Sequence, residues 1–183
     1  MKNQLKSEIQ SMGMLFLNVN RYFPSVCGLG GDWDTIMSLI EDREVFFSKL
    51  YKNRTTYLSK EMYFYLKRFK QRGRLSETEQ KICNFLDESN GADSEIIKSC
   101  LLLSDKAFDI AMNRLLRDLH VTVLSRGKRL NEQWTTLVWG TYRQWEEDCS
   151  MSECCLSDVQ CRDEIIKILS KNLTTSEINK ILE

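Results

Sequence analysis

The stretch Ser76–Leu130, SETEQKICNFLDESNGADSEIIKSCLLLSDKAFDIAMNRLLRDLHVTVLSRGKRL, together with TTLVWGT at Thr135–Thr141, decides how the chain is read. Ser76 and Glu79 form a capping box, in which a hydroxyl and a carboxylate three residues on satisfy the free amides of a helix start. The helix that follows sets Ile82, Phe85 and Leu86 on one side and stops at Asn90-Gly91, residue types that tolerate a left-handed turn. Asp93 caps a second short helix carrying Ile96, Ile97 and Leu101, and Ser104 caps a third, longer one. Phe108, Ala111, Leu115 and Leu119 recur at helical spacing, so the segment Ser104 to Leu119 buries one stripe. Beyond it the period becomes alternating. VTVLSRGKRL (121–130) and Thr135–Thr141 read as two strands, and Tyr142–Asp148 as a helix packing through Tyr142 and Trp145. Three short helices followed by a two-stranded hairpin predict a winged helix-turn-helix over residues 75–148.

Working outward, the segment after Pro24, FPSVCGLGGDW, is glycine-rich and reads as a loop. Asp32 caps a helix from Trp33 whose inner face is Trp33, Ile36, Met37 and Ile40. VFFSKLY, Val45–Tyr51, is β-branched and aromatic and predicts a short strand. Ser59 followed by Met62, Tyr63, Leu66 and Phe69 predicts an amphipathic helix. KRFKQRGR, Lys67–Arg74, reads as a basic linker. After Cys149 the text changes again, to a helix around Asp163–Leu169 and a Thr174/Glu177 capping box before Ile178, Ile181 and Leu182. The fold class is therefore mainly α (α+β), with a helical N-terminal region holding a short strand (1–70), a winged-helix domain (75–148) and a cysteine-bearing helical tail (149–183).

The 183 residues are 42% hydrophobic, enough for a core, and 26 basic residues balance 26 acidic ones. A nucleic-acid surface must then come from local segregation of charge rather than from the total. Met1–Gln10 is too polar for a signal peptide, and no run approaches the roughly 18 apolar residues of a membrane span. Seven cysteines without an export signal point to reduced thiols and a cytoplasmic, membrane-free location.

The text around Gly13-Met-Leu-Phe-Leu17, Phe23-Pro24-Ser25, Asp32-Trp33, Phe47–Tyr51, Thr55–Glu61 and Trp134–Trp145 resembles proteins related to the AlkZ-type DNA glycosylases, over roughly Gln10 to Glu147 and without the tail. The resemblance implies stacked winged-helix modules, damaged nucleotides as substrate and a catalytic Gln-x-Gln or Gln-x-Asp motif. None of Gln4, Gln10, Gln71, Gln80, Gln133, Gln144 and Gln160 has Gln or Asp two positions on. With 183 residues against a multi-module architecture, this implies a small, non-catalytic member.

Opposite its apolar stripe the third helix shows Lys106, Asp109, Asn113, Arg114 and Arg117. Asn and Arg can read base edges and Lys or Arg can neutralise phosphate, whereas Asp109 would repel it and suits a merely solvated face. Arg126, Lys128 and Arg129 around Gly127 form a cationic wing tip, and the linker, through Lys70, Arg72 and Arg74, supplies a second cationic patch. His120 is the only histidine and has no partner nearby in sequence. Cys149, Cys154, Cys155 and Cys161 lack paired C-x2-C knuckles, so structural thiols are expected rather than zinc. Trp134, Trp139, Tyr142 and Trp145 could stack bases, but their spacing suits core packing. No cofactor motif is present. The leading expectation is duplex DNA as partner through Lys106, Asn113, Arg114, Arg117 and the two patches. The alternative is an assembly module binding a protein partner or a second copy through the last helix. A minimal glycosylase acting through Asp32 or Asp34 comes third.

Overall fold

In a computed structural model of the chain, which describes residues 1–20, 23–130, 135–149 and 155–183, short oxygen-bearing side chains mark where most helices begin. The elements are α1 (Lys2–Met12), β1 (Met14–Phe16), α2 (Trp33–Glu41), β2 (Val45–Tyr51), β3 (Arg54–Ser59), α3 (Lys60–Lys70) and α4 (Glu77–Ser89). They continue with α5 (Ser94–Leu101), α6 (Asp105–Arg117), β4 (Val121–Arg129), β5 (Thr135–Thr141), α7 (Tyr142–Glu147), α8 (Asp158–Leu169) and α9 (Thr175–Leu182). Asp32, Ser59, Ser76, Asp93, Ser104, Ser157 and Thr174 each accept from the amide three residues on. The architecture is mixed α and β. No helix among the described residues is long and apolar enough to cross a membrane.

Several expectations need correction. KRFKQRGR is a linker only in its second half. α3 runs on to Lys70 because Leu66 is buried and Lys67 and Arg68 meet carboxylates, Glu146 at 2.7 Å and Asp158 at 2.9 Å. α8 starts at Asp158, ahead of Asp163, on a capping box made by Ser157 and Gln160. The N-terminal region holds a three-stranded antiparallel sheet in the order β1-β3-β2, not one strand. Lys52 and Asn53, with φ of 52° and 55°, make the tight turn between β2 and β3.

Side chains of this sheet alternate between two interiors. Leu15, Val45, Phe47 and Tyr57 join Leu5, Ile36, Ile40 and the inner faces of α4, α5 and α6. Met14, Phe46 and Leu58 join Met62, Tyr63, Trp145, Ile165, Ile178 and Ile181. The sheet is thus a partition that is dry on both faces. In the second interior Phe46 stacks on Tyr63 at 4.1 Å between centroids, and Trp145 meets both rings edge-on. The Tyr63 hydroxyl and the Lys67 ammonium both donate to Glu146, and burial pushes the Tyr63 phenol well above its ordinary value.

The second sheet is the β4-β5 hairpin, registered as Val121↔Thr141, Arg126↔Leu137 and Arg129↔Thr135. Ala92, between α4 and α5, pairs with Trp139 through two backbone bonds of 2.9 and 3.0 Å. That approach needs Gly91, whose φ is +94° and where an added Cβ would lie 2.9 Å from the Trp139 carbonyl. Besides packing, one side chain hydrogen-bonds the two sheets to each other. The Thr122 hydroxyl accepts from the Phe47 amide at 3.0 Å and donates to the Phe47 carbonyl at 2.9 Å. Thr122 is fully buried.

Thr122→Val keeps the shape but strands a buried amide and a buried carbonyl, so it should cost about 1–3 kcal/mol in urea unfolding. Thr122→Ser keeps both bonds and should retain more stability than the valine variant. Equal losses in the two would show that the methyl, not the hydroxyl, matters. α9 offers a second test. Glu177 accepts from the Tyr51 hydroxyl at 2.7 Å and from the Thr174 amide at 3.1 Å. These bonds lower its pKa from 4.5 to about 2, the Tyr51 bond contributing most. A depressed carboxylate stabilises above its unfolded pKa and loses that contribution as pH falls through the folded one. Glu177→Gln should therefore lower the urea midpoint at pH 7, with the gap to wild type closing below about pH 4.5. A gap as wide at pH 3 as at pH 7 would assign the effect to packing.

Candidate nucleic-acid interface

α6 presents one stripe outward because its other side, Phe108, Ala111, Met112, Leu115 and Leu116, is buried. Lys106, Ile110 and Arg117 lie on the exposed stripe, with Asn113 half-buried at its edge. The reason for that half-burial is β2. The Lys49 ammonium, at the one position of β2 that is not buried, donates to the Asn113 side-chain oxygen at 2.7 Å. Lys49 is a cation of this face that sequence reasoning missed; its place as the lone charged residue in VFFSKLY was the available signal.

Arg114 has a different role from the one expected. Its guanidinium donates to Glu79 at 3.3 Å and to the Arg74 carbonyl at 3.2 Å, and it lies 3.6 Å from Asp118. Glu79 is only 3% exposed. It also closes the capping box of α4. Arg114 is thus a strut between α4 and α6. Arg117 pairs with its neighbour Asp118 at 3.1 Å. At the other end of the helix, Lys98 is held between Glu95 and Asp105, so the start of α6 is acidic.

The linker packs on the far end of the same helix. The Gln71 side-chain amide donates to the Leu119 carbonyl at 2.6 Å. Lys70 is half-buried beside Arg117 and Asp118, and burial lowers its pKa. Arg72 ion-pairs with Asp158 at 2.5 Å and lies over the Phe69 ring, while Arg74 is exposed. Lys49, Lys106, Asn113 and Arg117 thus lie along the outer side of α6, where Asp109 is also exposed, with Lys70 beside Arg117 and the Arg74 backbone held by Arg114.

The wing corrects the sequence reading. β4 continues to Arg129, so Arg126, Gly127, Lys128 and Arg129 lie in a strand rather than at a turn. Arg126 is not a free cation. It donates to the Ser38 hydroxyl at 3.3 Å and the Asp34 carbonyl at 3.2 Å, and its guanidinium lies 3.3 Å from the Asp34 carboxylate and 3.4 Å from Glu41. These contacts fasten the hairpin to α2. Lys128 and Arg129 are exposed. From Leu119, where the linker docks, to Arg126 is a strand length of roughly 20 Å. The linker patch thus adjoins α6, not the hairpin's far end.

His120 is half-buried beside the Tyr142 ring at 6.2 Å, and burial lowers its pKa. Trp145 is buried. Trp139 is half-buried and donates to the Ser94 hydroxyl at 2.9 Å. The Tyr142 ring lies beneath Lys67 and Arg143, and Trp134 lies outside the described residues. Cys149 is half-buried, Cys155 exposed and Cys161 buried, while Cys154 lies outside the described residues. Among the described residues no group of three or more His, Cys, Asp and Glu side chains is placed to hold a metal ion. Asp32 is engaged as the cap of α2, and Asp34 pairs with Arg126.

No curated protein matches the chain, and no solved structure does. A family model described as AlkZ related matches residues 27–183. The match takes in the tail, which the resemblance had left out. That inclusion accords with α8 and α9, whose Ile165, Leu169, Ile178 and Ile181 close the second interior. The chain belongs to the AlkZ-related family.

Proposed function

We propose that the chain is a non-catalytic winged-helix module of a DNA-repair family, binding duplex DNA through the outer face of α6. The carrying observation is the row of Lys49, Lys106, Asn113 and Arg117 along α6, with Lys70 beside Arg117 and the exposed Arg74 in the linker that docks on Arg114. Such a surface neutralises phosphates locally although the chain as a whole has no net charge. The winged-helix reading is supported by the order α4-α5-α6-β4-β5 and by Ala92, which adds a short third strand position beside the hairpin. The non-catalytic reading is supported by the missing glutamine motif and by the scaffolding bonds of Asp32 and Asp34. Lys128 and Arg129 serve as outlying phosphate contacts. Arg126, Arg114 and Arg72 hold the scaffold.

A protein-assembly role is the second reading. Ile110 is 62% exposed in the middle of the α6 face, and Leu102 is 91% exposed at the turn before it. Apolar groups there suit a protein surface better than a groove of DNA.

Fluorescence anisotropy on a labelled duplex across a salt series separates the two. Wild type should lose affinity steeply with salt, and Lys49→Ala/Lys106→Ala/Arg117→Ala should reduce the log–log slope by roughly 0.9 for each phosphate contact removed. Lys128→Ala/Arg129→Ala should have a smaller effect. Arg114→Ala should instead cost about 1–2 kcal/mol of stability, since Glu79 is left buried and the exposed side of the pair is screened. Salt-independent binding, or a triple variant that binds like wild type, would sink the DNA reading and favour assembly.

A further inference from the structure

At the end of the first sheet where β2 turns into β3, a cavity of about 250 Å³ is lined by Phe16, Leu17, Asn18, Arg54 and Thr55. Its floor is apolar: Phe16 is 3% exposed and is held by the Phe23 and Tyr51 rings at 5.9 and 5.7 Å. Its walls are polar. Arg54 follows the tight turn at the start of β3, so its guanidinium is carried on a rigid paired strand rather than a loop. Most arginines described above are neutralised by carboxylates: Arg43 by Asp148, Arg68 and Arg72 by Asp158, Arg114 by Glu79, Arg126 by Asp34 and Arg143 by Asp87. Among the described residues, the Arg54 guanidinium makes no ion pair or hydrogen bond, and neither the Asn18 amide nor the Thr55 hydroxyl has a partner. Glu177 of α9, which meets this hairpin at Tyr51 and Lys52, is engaged by those two side chains and by Thr174.

We propose that this cavity is a binding site for a phosphate monoester. A planar guanidinium presents two parallel donors to an oxyanion, and Asn18 and Thr55 line the same cavity with a further amide and hydroxyl. That set suits the three terminal oxygens of a phosphate monoester better than the two of a carboxylate. A concave, apolar-floored space with a few convergent polar groups is the usual form of a small-ligand site. None of its lining residues is among those assigned to the α6 surface, and the site does not depend on the DNA reading.

The test is isothermal titration of the full chain at constant ionic strength with inorganic phosphate, acetate, and a short oligonucleotide carrying either a 5′-phosphate or a 5′-hydroxyl. Phosphate should bind with one site per chain. Arg54→Ala should weaken it by roughly ten- to hundredfold, the loss expected for hydrogen bonds to a charged group, and Asn18→Ala by less. Arg54→Lys should recover only part, because an ammonium lacks the fork. Tighter binding of the 5′-phosphorylated strand than of the 5′-hydroxyl strand, lost in Arg54→Ala, would assign the source to a nucleic-acid end. Equal binding of the two strands would assign it to free phosphate or a small phosphate ester. Acetate binding as tightly as phosphate, no phosphate binding, or an Arg54→Ala variant that folds and binds like wild type would each overturn the proposal.

Discussion

A single hydroxyl joins the two sheets of this chain. Thr122 serves both the amide and the carbonyl of Phe47, completing the outer edge of β2 where no strand pairs with it. Everything placed around that junction depends on it. Phe47 carries the wall against which Tyr57 and Trp139 pack. Two residues on, Lys49 reaches Asn113 of α6. The α6 face is held beside the first sheet by that bond and by the core that Phe47 shares with Phe108, Ala111 and Leu115.

The same economy governs the charges. Their sum is zero, but the cancellation is local and structural. Asp158 takes both Arg68 and Arg72, Glu44 takes Lys6 and Lys60, and Asp34 with Glu41 takes Arg126. Most of these pairs are exposed and add little stability one by one. Their larger effect is selective. They consume Arg126 of the hairpin and Arg68 of α3, while Lys106 of the α6 stripe and Arg54 face outward, as do Arg74, Lys128 and Arg129.

Local chemistry was readable from the sequence, and distant chemistry was not. Asp32, Ser59, Ser76, Asp93, Ser104 and Thr174 announce their helices because a cap and its amide sit within four residues of each other. β1 is three residues long and β3 opens on Arg54-Thr55-Thr56, so neither shows an alternating apolar pattern. The candidate cations were found by type, but not their fates. That Arg126 meets Asp34, 92 residues away, or that Arg114 meets Glu79, 35 away, is a product of packing. Nothing adjacent in the chain could have distinguished these struts from Lys106.

The outer edge of β2 carries a further consequence, for folding rather than for the finished molecule. The turn at Lys52-Asn53 lets β2 and β3 pair early, since hairpins close within about 1–10 μs. The Thr122 contact spans far more chain and must come later. In the interval VFFSKLY stands with one row of backbone groups bare, a segment of high β-propensity with one charge and no proline. Such edges recruit other chains. The hydroxyl that completes the junction therefore also covers the middle of that bare edge, and Lys49, the single charge in the strand, opposes such pairing until the junction forms.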